Sequence, residues 1–293
     1  MVDVLKGVSC MLIVLHHLAF YGPMSDVALP LAPLLIGWLY DYGRMAVQVF
    51  LVVSGFLAAS SLAPGGDAVF DKPLQQILRR YARLAMPYLL ALTLSVAVAA
   101  LVRPWFGHVS VPDEPDLLQL LAHVLLLQGL LGQDSLSAGV WYVAIDFQLF
   151  ALTVLGLTLA RRLQSRTAQR APWGMLLVGC MALASLLYFN RDANWDVWAV
   201  YFFGAYGLGM LAYWAVQSPR ALGAWSWALL IAALVVAALA LGWRPRIALA
   251  GVTALLLVVA MRSPAMQRWQ GWAPLSRLGQ ISYSVFLVHF AVC

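Results

Sequence analysis

The chain is expected to be an all-α, polytopic integral membrane protein folded as a single helical bundle. Three observations carry that expectation. Of its 293 residues, 63% are hydrophobic and only 10% are charged. Mean hydropathy is +0.85, more apolar surface than a water-soluble chain of this length can hide. The apolar residues are also gathered into runs of membrane-spanning length divided by short polar connections. Helices follow because in lipid every backbone N–H and C=O must find its partner within its own segment.

The same composition excludes other classes. The net charge of +6 reads as an orientation signal, since lysine and arginine collect in cytoplasmic loops. No basic, aromatic-interleaved soluble segment is present to bind nucleic acid. Cys10, Cys180 and Cys293 stand far apart in apolar runs, so they offer neither a disulfide framework nor metal-ligand spacing. The first apolar run has no basic leader and no clear cleavage site, so it reads as a retained span.

The first span, residues 4–21, opens with Lys6 and holds His16 and His17 deep inside. Lys6 and His17 are 11 residues apart, close to three turns, which puts them on one helix face roughly 16 Å apart along the axis. With Lys6 at a membrane surface, His17 falls near mid-bilayer, where an ionisable group is a functional candidate. The alternative is a core histidine bonded to a neighbouring helix. His16 faces elsewhere.

A connection with several prolines leads to residues 34–42, apolar but short, with Trp38, Tyr40 and Tyr42 suited to an interface. The second span is 44–62, closed by Pro64-Gly65-Gly66. Asp71 is expected to cap the next helix, with Pro73 in its first turn. Residues 71–83 then carry an apolar stripe of Leu74, Ile77, Leu78 and Tyr81, with Arg79, Arg80 and Arg83 off it, the pattern of an interfacial amphipathic helix. It continues through Pro87 into the third span, 84–102. Residues 117–131 are apolar but only 15 long, with His123 and Gln128 inside, too short to cross with assurance. The fourth span, 140–160, carries Trp141 and Asp146. Later spans are 174–189, 196–216, 224–242 and 246–261, followed by a loop, 262–279, with Arg262, Arg268 and Arg277. The final run, 281–293, stops short of crossing, as though cut inside a helix.

The cations orient the bundle. With the N-terminus inside and 117–131 not crossing, 13 lysines and arginines fall inside and 5 outside, the latter being Arg44, Arg103, Arg191, Arg244 and Arg246. If that segment crosses, the split becomes 8 to 10. The first arrangement obeys the positive-inside rule. It gives eight complete spans and a ninth cut short.

Three groups carry candidate chemistry. Lys6 and His17 form the first. Arg79, Arg80 and Arg83 at the inner surface form the second, since guanidinium groups grip phosphates through paired donors; the alternative is an anchor touching anionic head groups. Asp146 beside Trp141 is the third. A carboxylate in the membrane needs a cation, a histidine or a wet cavity as partner; the alternative is a structural ion pair. A cationic rim for a phosphate-rich donor and an imidazole base with an orienting carboxylate together suit acyl transfer from a thioester to a hydroxyl.

The chain also resembles the acyltransferase family 3 membrane proteins, which O-acylate bacterial surface glycans, antibiotics and related hydroxyl acceptors. Asp3, Leu5, Gly7 and His17 match the family's "LDGLRG" start and the apolar run ending in His. Val47, Phe50, Ser54, Gly55, Phe56 and Leu57 match "GVDLFFVLSGFL". Arg79, Arg80, Arg83, Pro87 and Tyr88 match "RR..R..P.Y", and Val140, Trp141 and Asp146 match "WSL..E..FY". Ser282, Tyr283, Ser284, Leu287 and His289 match "SYSLYLIH". Lys6 stands where the family has Arg, Gln48 where it has Asp, and Asp146 where it has Glu.

The resemblance implies a single acyltransferase domain over 1–293, about ten helices in the full domain, the last missing from this chain. It implies a bacterial inner-membrane O-acyltransferase using cytoplasmic acyl-CoA, most simply acetyl-CoA, without a metal. His17 is then the base or acyl carrier, Asp146 its orienting group, and Lys6 a further member of the catalytic set. Arg79, Arg80 and Arg83 hold the CoA phosphates, and Arg44 and Trp141 shape the acceptor site. A different class, a transporter or flippase for a glycan or lipid-linked sugar, also fits intramembrane charges and a cationic inner rim. An inactive scaffold is a third reading, favoured by the departures at Lys6, Gln48 and Asp146.

Overall fold

The computed structural model describes residues 1–22, 24–107, 111–167, 171–269 and 271–292; Cys293, named above, and Arg170, one of the 13 cations assigned to the inside, lie outside them. Among the described residues every regular element is helical. In chain order these are α1 (Val2–Phe20), α2 (Met24–Ala28), α3 (Pro33–Tyr42), α4 (Val47–Leu62), α5 (Pro73–Val102), α6 (Leu117–Val124) and α7 (Val140–Arg166). They are followed by α8 (Trp173–Leu187), α9 (Ala199–Gln217), α10 (Ala221–Leu241), α11 (Pro245–Arg262), α12 (Pro264–Arg268) and α13 (Ala273–Val292).

Eight helical segments among the described residues are long and apolar enough to cross a membrane, and each overlaps one of the eight complete spans expected from sequence. The chain is therefore an all-α polytopic bundle. Two boundaries differ from expectation. The short apolar piece before the second span is the helix α3, joined to α4 through a 3-10 turn at Gly43–Ala46. The final helix begins at Ala273, so Arg277 sits in its early turns instead of in a loop. Polar Ser276, Arg277 and Gln280 dilute the hydropathy there and hide the helix start.

Helix α5 is continuous through Pro87. Its first bond runs from Gln76 N–H to Lys72 O at 3.2 Å, which makes Lys72 the capping position and Pro73 the first helical residue. Asp71 therefore does not cap α5. Its carboxylate instead faces Arg161 at 3.3 Å. Helix α6 does have a side-chain cap, with Asp116 Oδ1 accepting from Gln119 N–H at 2.7 Å. At eight residues it spans roughly 12 Å, well short of a bilayer core.

The chain divides into two compact units. The first comprises Val2–Val47, Tyr81–Ala144 and Gly271–Cys293; the second comprises Gln48–Arg80 and Ile145–Gln270, with Met1. In the second unit α9 is the core helix, its residues Tyr201 to Ala215 all buried. It meets α4 at reciprocal glycines. A Cβ on Gly55 would lie 1.9 Å from Tyr206 O, and one on Gly209 would lie 1.9 Å from Val52 O, so only glycine permits this approach.

The first unit repeats the device with α1 and α13. A Cβ on Gly7 would lie 2.2 Å from Leu275 O, and one on Gly279 would lie 1.8 Å from Asp3 O. The Cys10 thiol donates to Ser282 O at 3.6 Å, and His17 meets His289. From Gly7 against Leu275 through Cys10 against Ser282 to His17 against His289 the partner numbers rise together, so α1 and α13 run parallel, in contact from their first turns to their last.

Candidate active site

The parallel pair brings together two imidazoles from opposite ends of the sequence. His17 Nδ1 lies 2.5 Å from His289 Nε2, and the two ring planes are parallel to within 2°. The proton positions follow from the next contact. His289 Nδ1 lies 2.7 Å from the Phe286 carbonyl oxygen. A carbonyl only accepts, so His289 Nδ1 carries the hydrogen. In neutral His289, Nε2 is then a bare lone pair, and the proton between the rings belongs to His17 Nδ1. Neutral His17 accordingly holds its other lone pair on Nε2. Phe286 O, His289 and His17 form a relay that fixes one tautomer and leaves a base at its end.

His17 lines a cavity of about 370 Å³ within the first unit. Tyr21 shares that wall; its ring lies 5.7 Å from that of His17 and edge-on to Phe290 at 5.0 Å.

His16 is a different kind of residue. It is buried, and its Nδ1–H donates to Leu39 O at 2.9 Å. Gly43 packs onto its Cβ so closely that an added methyl would come within 2.7 Å. His16 therefore ties α1 to α3.

Lys6 pairs with Asp3 at 2.8 Å, one turn away on α1. Arg44 is exposed in the 3-10 turn before α4, and Trp141 is exposed in the first turn of α7. His123 and Gln128 are both buried and serve the loop after α6. His123 donates from Nδ1 to Gln119 O at 2.8 Å and accepts Leu136 N–H at Nε2 at 3.2 Å. Gln128 donates to Val140 O at 3.2 Å.

In the second unit, Asp146 is 4% exposed and its Oδ2 accepts from Arg80 at 2.5 Å. The Arg80 guanidinium also lies over the Phe150 ring, 5.2 Å from its centroid. Tyr206 lies in the field of both charges and hydrogen-bonds Thr153. Thr153 passes its own hydroxyl hydrogen to Leu149 O at 2.8 Å, so the Tyr206 hydroxyl is the donor between them. Asp146 Oδ1 is buried and has no hydrogen-bond partner among the described residues. The carboxylate expected to need a cation thus has one, drawn from the arginine cluster. Of that cluster Arg79 and Arg83 remain exposed, while Arg80 turns inward.

The group that orients His17 is therefore His289, which the sequence offered only as the last residue of its final motif. Among the described residues no set of three or more His, Cys, Asp or Glu converges as a metal site.

A membrane helical bundle with a tautomer-fixed imidazole at a cavity has the equipment for proton transfer in acyl chemistry. The family model described as an acyltransferase domain, acyltransferase family 3, matches residues 2–293, and the chain belongs to that family. Its general activity is acyl transfer. No curated protein and no solved structure matches the chain at a significant level.

Proposed function

We propose that the protein is an O-acyltransferase of the bacterial inner membrane. It moves an acyl group, acetyl in the simplest case, from cytoplasmic acyl-CoA to a hydroxyl of a glycan or another surface acceptor. The observation that carries this reading is the relay from Phe286 O through His289 to His17, which leaves His17 Nε2 as a base at a cavity.

The acceptor hydroxyl gives its proton to His17 Nε2 as its oxygen attacks the thioester carbonyl. The tetrahedral intermediate collapses, the C–S bond breaks, and the proton returns to the departing thiolate. While His17 is cationic, its Nδ1–H stays donated to neutral His289, which disperses the charge without a second ionised group in the bilayer. The relay serves equally if Nε2 attacks the thioester itself and carries the acyl group.

Arg79 and Arg83 are one turn apart on α5 and exposed, and they are assigned to the CoA phosphates. Arg80 keeps a different task from the one expected, holding Asp146 in place. Lys6, Arg44 and Trp141 are assigned to the approach of the substrates, and the whole matched length acts as one catalytic domain.

The test is thiol release from acyl-CoA by the purified protein in detergent, with and without a hydroxyl acceptor. His17→Ala should lower turnover by roughly 10²–10⁴, the range for losing a positioned base, while acyl-CoA binding by calorimetry persists. Arg79→Ala combined with Arg83→Ala should do the reverse. If His17→Ala keeps most of its turnover, the assignment fails.

A further inference from the structure

The cavity at His17 is unusual for an enzyme whose acceptor is a sugar. Helix α5 presents Ser95, Ala99 and Val102 to it, positions three or four residues apart that share one helix face, and Phe106 joins them from the chain that leaves α5. Leu18 and Tyr21 of the first helix and its exit, Leu136, and Phe290 of α13 complete much of the wall. Among the described lining residues the side-chain polar atoms are the His17 imidazole, the Tyr21 phenol and the Ser95 hydroxyl.

Ser95 is 5% exposed, and its Oγ has no hydrogen-bond partner among the described residues. A buried hydroxyl beside a cavity, without a partner of its own, costs free energy unless a small side-chain rotation or an occupant satisfies it. A carbohydrate carries hydroxyls on every side, and each needs a partner when it leaves water. Among the described residues this cavity offers few side-chain partners for polar groups and apolar wall for the rest. Its volume of about 370 Å³ lies within the range of small-molecule sites.

We propose that this cavity is the acceptor site and that it takes an alcohol with an apolar body, an aliphatic or lipid-like chain, whose single hydroxyl reaches His17 Nε2 and Ser95 Oγ. A glycan acceptor would engage it only through such an attached chain. The inference rests on the acyltransferase reading and narrows its acceptor. The tautomer suits an alcohol as occupant: Nε2 presents a lone pair, which accepts from a hydroxyl. Ser95 can then donate to the same oxygen. On transfer, the alcohol O–H bond breaks with its proton moving to Nε2. The C–O ester bond forms at the thioester carbon of acyl-CoA, the C–S bond breaks, and the proton leaves with the thiol.

Two measurements test it. The first uses decan-1-ol carrying a diazirine on its chain as a photolabel on the full chain in detergent, with adducts located by peptide mass spectrometry. Label should fall within residues 95–106 and 290–291. Decan-1-ol should compete for it at least fivefold better than decane, and methyl glucoside should not compete. Ala99→Phe, which fills the cavity, should abolish labelling, and Val102→Phe at the wall serves if the first variant does not fold. Ser95→Ala should weaken competition by about fivefold, the loss of one hydrogen bond. Equal competition by decane, or labelling indifferent to both Phe variants, overturns the proposal.

The second is thiol release from acetyl-CoA along the series from butan-1-ol to decan-1-ol, where KM should fall about fourfold per methylene until the cavity is full. Methyl glucoside used as well as decan-1-ol, unaffected by Ala99→Phe, overturns the proposal while leaving the acyltransferase reading intact. Correct labelling with no thiol release onto any alcohol upholds the cavity's specificity and overturns the transfer chemistry.

Discussion

Replacing His289 with alanine isolates what the relay contributes. The substitution removes the acceptor of the His17 Nδ1–H bond, a 2.5 Å contact between two rings in the first unit. It leaves His17 itself in place. Without His289 the His17 proton is free to move to Nε2, where it blocks the base, and the ring is free to turn. Loss of a partner for one buried polar group costs about 1–3 kcal/mol, which corresponds to roughly 5- to 150-fold in rate if the relay is fully used in the transition state. The effect should therefore be smaller than the loss of His17 itself. It should fall on kcat with KM for acyl-CoA unchanged, since donor grip is assigned elsewhere. His289→Gln should recover part of the loss, because the Gln carbonyl can accept the same hydrogen. The double variant His17→Ala with His289→Ala should be no slower than His17→Ala alone, since the two residues act as one unit. The assay is acceptor-dependent thiol release at saturating acyl-CoA. A His289→Ala enzyme within twofold of wild type would refute the orienting role, and so would a Gln variant as impaired as the Ala variant, or losses that add.

Three further outcomes follow from other contacts. Arg80→Ala should destabilise the protein by about 3 kcal/mol, because it strands the Asp146 carboxylate, only 6% exposed in its side chain, without its cation. The double variant Arg80→Met with Asp146→Leu should regain most of that, and equal thermal midpoints in detergent for single and double variants would contradict the pairing. Burial lowers the His123 pKa below its ordinary 6.5, so the unfolded chain takes up the proton first. Its contribution is whole above about pH 6.5 and is lost as pH falls below that value. The stability gap between wild type and His123→Ala should accordingly narrow from pH 7 to pH 5, and a constant gap would count against it. A reporter fused after Arg170 should read as cytoplasmic, as the 13-to-5 distribution of cations requires; a periplasmic signal would reverse the orientation.

The spans were legible because membrane insertion is governed by local hydropathy, and each long helix declares itself within its own 20 residues. The helix α13 was read short for the same reason: its first turns hold Ser276, Arg277 and Gln280, and polar residues there mask a helix that packing against α1 sustains. The distinction between His16 and His17 was legible from rotation alone, since adjacent residues differ by ~100° about the axis. What His16 does was not, because its partner is a backbone carbonyl at Leu39, and any residue has a carbonyl. The ion pair of Asp146 could be expected in kind but not in identity. Electrostatics demanded a cation, and three arginines within five residues were equally eligible by composition. Only the helical phase of α5 turns Arg80 inward and leaves Arg79 and Arg83 exposed.

The partner of His17 was the least legible part of the site, and the reason lies in how the two helices approach. His17 and His289 are 272 residues apart, and no local pattern couples them. Their meeting depends on the crossing of α1 and α13 near Gly7 and Gly279, where backbone atoms sit so close that a Cβ at either glycine would overlap a carbonyl of the opposite helix. In lipid there is no hydrophobic force to drive two apolar helices together, so close backbone packing at small residues does that work. A parallel pair held at its first turns, then again by Cys10 on Ser282 O, has its register fixed by the time it reaches its last turns, where His17 and His289 stand. The imidazoles are then brought into hydrogen-bond range by geometry set roughly 15 Å away along the axis. The glycine of the first motif and the histidine that ends it are thus two parts of one device. The first sets the distance between helices, and the second uses it.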